Sequence, residues 1–89
     1  MNDKQHSFAL KLAYEHVRLM AAQAKSFAAD ELTQQALQDA TDMFHKIALT
    51  VSLNADEREL MLALIDMTIE ATDTTKEDRQ LAFEISNLI

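Results

Sequence analysis

The chain contains no glycine and no proline in its 89 residues. Average usage would supply roughly ten of the two together. They are the usual punctuation of tight turns and β-hairpins, one reaching positive φ at no steric cost and the other presetting a bend. A chain without either has one simple route to a compact fold: helices joined by short polar connectors. The rest of the composition agrees. Ala, Leu, Glu, Gln, Lys and Met predominate, all good helix formers. Hydrophobic residues make up 48% of the chain, enough for a packed core and against disorder. The length suits one domain, residues 1–89, with a modest core.

Apolar spacing and capping residues predict four helices. The first runs over about 4–28. Leu10, Ala13, Tyr14, Val17, Met20, Ala21, Ala24, Phe27 and Ala28 recur at steps of three and four and form one face. The second runs over 31–51 behind Asp30 as N-cap, with Leu32, Ala36, Leu37, Ala40, Met43, Phe44, Ile47, Ala48 and Val51 on its face. Nothing around KSFAADEL forces a turn. The heptad phase of Leu10, Val17 and Ala24 would next fall on Glu31 and Gln38, however, so the pattern breaks there and favours two helices over one rod. The third helix starts behind Asn54, which forms a capping-box pair with Glu57, and runs over 55–72. Thr74 with Glu77, or Thr75 with Asp78, caps a fourth over 76–88, whose face is Leu81, Ala82, Ile85, Leu88 and Ile89.

Short links make sequential helices antiparallel neighbours, so the expected fold is an all-α, up-down bundle of about four helices joined by short polar turns. A first helix of that length measures roughly 38 Å. A compact monomer of this size is a sphere only about 31 Å across. The first helix therefore overhangs, and a second copy is the simplest cover, since symmetric dimers are the commonest oligomers.

Surplus apolar residues point the same way. Phe8, Leu12 and Leu19 fall within about 40° of one another on the helical wheel, away from the main face. They are expected to form an exposed self-association stripe. Leu49 and Phe83 are expected to be isolated exposed side chains, which are ordinary. The third helix is apolar nearly all round, interrupted by the row Glu59, Asp66, Glu70, and is expected to be covered on several sides.

Net charge is −7, unevenly placed. Residues 1–29 hold four basic and two acidic side chains, whereas residues 30–89 hold thirteen acidic and four basic. Lys4, Lys11, Arg18 and Lys25 recur every seven residues and form one basic row on the first helix. Flanking rows of this kind set register and partner choice in helix packing. Four cations on an acidic chain make a weak nucleic-acid site, and a helix-turn-helix reader is disfavoured because the third and fourth helices carry mostly carboxylates, which phosphates repel. The acidic residues Glu59, Asp66 and Glu70, with Asp39 and Asp42 as a second group, are the expected surface for a basic protein partner.

Catalytic and cofactor signatures are lacking. There is no Cys, hence no disulfide framework or thiolate chemistry. There is no Gly to build a phosphate loop, and no serine has an activating neighbourhood in the sequence. Asp42 and His45 have the i,i+3 spacing of half a carboxylate-bridged metal site, with no second copy of the motif, so they are only weak metal candidates. The methionines sit at core spacings, where filling is their ordinary role. The first twelve residues contain no apolar run of the signal-peptide kind, and no stretch reaches the ~20 apolar residues of a membrane span. Together these features predict a cytoplasmic, non-enzymatic interaction protein that is homodimeric and needs no cofactor, with no membrane or nucleic-acid partner. The alternatives are an acidic nucleic-acid mimic that blocks a DNA- or RNA-handling protein, and a metal- or small-molecule-binding bundle.

Overall fold

The computed structural model describes residues 1–26 and 30–89. Those residues form four α-helices and no strand: α1 (Asp3–Ser26), α2 (Glu31–Ala48), α3 (Ala55–Glu70) and α4 (Lys76–Ser86). The helix starts lie where the capping residues place them. Asp30 takes extended backbone angles, and its side chain accepts the N–H groups of Leu32 at 2.9 Å and Thr33 at 3.4 Å. Asn54 accepts the Glu57 N–H at 2.8 Å while Glu57 accepts the Asn54 N–H at 2.9 Å, a complete capping box. Thr75, rather than Thr74, caps α4 by accepting the Asp78 N–H at 3.1 Å. The turn expected between the first two helices falls on residues that lie outside the described ones, as do Phe27 and Ala28. Because α1 and α2 pack against each other, they are two helices and not one rod.

The ends fall short of the periodic pattern. α2 stops at Ala48 because the chain enters a Schellman turn: the Thr50 N–H donates to Ile47 O at 3.1 Å and the Val51 N–H to Lys46 O at 2.8 Å. Thr50 occupies the left-handed position that glycine usually fills, with φ 55°. Val51 therefore leaves the apolar face of α2 and is exposed. α3 ends at Glu70, where Ala71 turns to extended angles. The freed Ala71 and Thr68 carbonyls accept Arg79 Nη2 at 3.0 Å and Thr74 Oγ1 at 2.8 Å. α4 ends at Ser86, which leaves Leu88, expected in the core, exposed.

Packing is centred on α1. It lies between α2 and α4, and α3 packs on α4 and more loosely on α1. α2 and α3, consecutive in the chain, do not pack closely among the described residues. The simple up-down succession is broken there because the six residues from Leu49 to Asn54 let the chain cross over. The core joins Phe8, Ala9, Leu12 and Ala13 of α1, Met43 and Ile47 of α2, Met61 and Ile65 of α3, and Ala82 and Ile85 of α4. Polar bonds tie α1 to its neighbours: Lys4 to Glu77 at 3.2 Å, Gln5 Nε2 to Glu84 at 2.9 Å, and His6 Nε2 to the Ile47 carbonyl at 2.8 Å. The last makes His6 a half-buried cap for α2.

The molecule measures 39 × 30 × 19 Å. Its long axis matches α1, whose 24 residues span roughly 36 Å. The central core contains no residue of α1 beyond Ala13 and none of α2 before Met43. Among the described residues, the remainder of α1 and α2 buries only Ala24 and Ala40, and Leu32, expected on the core face of α2, is 81% exposed. The overhang expected from helix length is thus a two-helix arm.

Two substitutions check this account. Ile65→Ala leaves a cavity at a fully buried site. It is expected to lower unfolding stability by about 2–4 kcal/mol, read from the midpoint in urea. Thr50→Gly relieves a β-branched residue from a left-handed conformation costing about 1–2 kcal/mol, offset in part by glycine entropy. The expected net gain is up to about 1 kcal/mol, seen as a rise of a few degrees in melting temperature.

Candidate functional site

The residues singled out for binding separate into two places. The first is a groove between α1 and α3 with a volume of about 400 Å³. Its lining includes Phe8, Leu12 and Leu19 of α1 and Leu64 and Met67 of α3. The expectation that Phe8, Leu12 and Leu19 form one exposed stripe is corrected here. Phe8 is 7% exposed and Leu12 8%, because α1 is covered on two sides at that level. Leu19, two turns further on, lies outside the shared core at the open side of the groove and is 53% exposed. Tyr14, expected on the core face, is displaced outward and rests against the Phe44 ring at a centroid distance of 5.9 Å. Met67, counted as core from its spacing, is 67% exposed. The acidic row would have flagged it, since Met67 follows Asp66 directly and lies one turn before Glu70 on the same side of α3.

Charge is divided across this groove. Lys11 lines the α1 wall, and Arg18 lies one heptad further along the same side. The opposite wall receives Asp73 and Asp78 from the α3–α4 connection and the start of α4, and Glu70 stands on the exposed side of α3 beside Met67. Glu15 and His16 complete the α1 wall. Burial holds the His16 imidazole below its ordinary pKa. Of the basic row, only Lys4 finds an ion-pair partner among the described residues, Glu77, and both are exposed. Lys11, Arg18 and Lys25, and on the acidic side Glu59, Asp66 and Glu70, are exposed and have none.

The second place is a crevice of about 570 Å³ between α2 and the start of α3, lined by Asp39, Asp42, His45, Lys46, Asp56 and Glu57 among others. Asp39 and Asp42 are exposed, and each accepts an amide N–H from one turn earlier: Gln35 at 2.9 Å and Gln38 at 2.8 Å. Neutral donors leave both charges uncompensated. The one cation in the crevice lining, Lys46, is committed, with Nζ 2.8 Å from Glu57 Oε1. Burial of Glu57 raises its pKa. The Lys46 hydrogen bond, the Asn54 N–H and the Lys46 charge outweigh that effect, so the net shift is downward. Asp56 was not singled out in the sequence because nothing local relates α3 to α2. The crevice does not gather the whole predicted acidic surface, for Glu59, Asp66 and Glu70 are not among its lining residues.

Asp42 and His45 share this crevice, but no group of three or more His, Cys, Asp or Glu side chains among the described residues is placed to hold a metal ion. No helix among them is long and apolar enough to cross a membrane. Comparison with models of protein families, with curated proteins and with solved structures finds no match.

The Glu57 site predicts a pH dependence. A carboxylate whose folded pKa is depressed adds stability above its unfolded pKa, and that contribution is lost as pH falls through the folded value. The loss here begins around 4.5, the ordinary value of the group, and continues below it. Thermal melts of wild type and Glu57→Gln are expected to differ at neutral pH, with wild type higher, and to converge progressively as pH falls below the ordinary value of 4.5. A constant difference would show that the Lys46 pair is not its source.

Proposed function

We propose that this is a non-enzymatic protein that acts as a homodimer and binds a basic protein partner through the acidic crevice between α2 and α3. The observation that carries this reading is the uncompensated charge at that crevice. Asp39, Asp42 and Asp56 converge on one hollow from two helices, while its lone lysine is already neutralised by Glu57. Glu59 extends the same charge along α3. A concave acidic field raises the encounter rate with a cationic surface and disfavours anionic ones. Such a field is screened over about 10 Å at 0.1 M salt, so binding that depends on it weakens as salt is added.

The test is capture from host lysate by the immobilised protein, with quantitative identification of what is retained. Specific partners are expected to be basic and to be released by moderate salt. They are expected to be lost when Asp39→Asn, Asp42→Asn and Asp56→Asn are combined, exposed changes that leave the circular dichroism unaltered. Equal retention by wild type and the triple variant would overturn the assignment of the crevice. A captured protein that handles DNA or RNA, and is displaced from nucleic acid by this chain, would identify the partner class as one blocked by acidic mimicry.

A further inference from the structure

We infer that the groove between α1 and α3 is occupied by a second copy of this chain, related by a two-fold axis running along the groove. This rests on the dimeric reading and specifies its surface. The argument begins with the apolar part. Leu19 and Met67 are large, exposed and on opposite walls of one concave groove, whose floor, Leu12, Phe8 and Leu64, is itself apolar. Scattered exposed hydrophobics need no explanation, but two facing each other over an apolar floor form a patch of the kind that marks an interface.

The charges then select the occupant. Lys11 and Glu15 line the α1 wall, with Arg18 one heptad beyond Lys11 on the same side of the helix; Asp73 and Asp78 line the other side, with Glu70 one turn past Met67. Lys11, Arg18, Asp73 and Glu70 are exposed and without an ion pair among the described residues. An isologous interface brings a surface against itself. A two-fold along the groove exchanges its walls, so each copy sets its cationic wall on the acidic wall of the other. Lys11 and Arg18 meet Asp73 and Glu70 twice over, and Leu19 of each copy enters the partner's groove. A two-fold across the groove would set like charges together and is disfavoured. Among the described helices only α1 carries a net positive charge, and the other three are net acidic, so a second copy offers its free cations a complementary surface.

This arrangement is tested by charge exchange, read by light scattering and analytical ultracentrifugation. Wild type is expected at about twice the 10.1 kDa chain mass, with the dimer weakening as salt is raised. Two double variants, Lys11→Glu with Arg18→Glu and Glu70→Lys with Asp73→Lys, each confront like charges across the interface. Each is expected to dissociate at least about tenfold more readily than wild type. Mixed together, they are expected to form a heterodimer of near wild-type strength, because both contact strips then pair opposite charges. General damage to the fold would not be repaired by mixing. Circular dichroism of each variant alone provides the control.

A wild-type mass of one chain at high micromolar concentration overturns both this inference and the dimeric part of the proposed function. A dimer that survives both charge variants, or variants whose mixture fails to associate, overturns the groove assignment alone and leaves the dimer to another surface. Leu19→Glu gives a second reading. It is expected to yield a folded monomer, and a folded dimer of unchanged strength would equally remove the groove from the interface.

Discussion

Every other feature depends on how closely the helices approach the N-terminal half of α1. Ala9 and Ala13 are buried completely or nearly so, as is Ala82 on α4. Small side chains at contact points let helix axes come to the short end of the 8–10 Å range. That approach admits α2 on one side of α1 and α4 on the other. Larger residues fill the space the alanines leave: Phe8 and Leu12 from α1, Met43 from α2, and Met61, Ile65 and Ile85 from the second helical pair. A bulky residue at Ala13 would push one neighbour away and open the core that these residues share.

The same geometry limits how much of the chain can be covered. α3 and α4 have 16 and 11 residues against 24 in α1, so they leave part of it uncovered. No α1 residue beyond Ala13 belongs to the shared core, and at His16 and Leu19 α1 faces α3 across the groove. Leu19 is left on the open side at the level where cover ends, and Met67 faces the same opening from the last turns of α3. The groove and the arm are therefore consequences of unequal helix lengths, and not of any special local conformation. Exposed Leu32 near the tip of the arm belongs to the same shortfall.

Charge follows a comparable division of labour. Glu57 and Lys46 meet where the α2–α3 connection must be held, and the capping box fixes the same carboxylate, so this pair serves the fold. The exposed Lys4–Glu77 contact stabilises little, because two solvated side chains gain scarcely more from each other than from water. The charges without an ion pair among the described residues, on α1, on the outer side of α3 and around the α2–α3 crevice, are the ones an opposite charge would still stabilise.

The sequence by itself determined the helix count and the helix starts. Caps are local: Asp30, Asn54 with Glu57, and Thr75 satisfy N–H groups two or three residues away, so their chemistry is legible without neighbours. The isolated exposure of Leu49 and Phe83 was legible for the same reason, each standing alone among polar residues on its helix. The overhang followed from helix length alone. Which apolar stripe meets which helix was settled only in three dimensions. Periodicity marks Phe8, Leu12 and Leu19 as one stripe, but burial depends on how far α3 and α4 extend along α1, and the line falls between Leu12 and Leu19. The outward places of Tyr14 and Met67, and the meeting of Asp39 and Asp42 with Asp56, belong to that second category. Each is set by contacts between elements distant in the chain, which side-chain spacing within one helix does not encode.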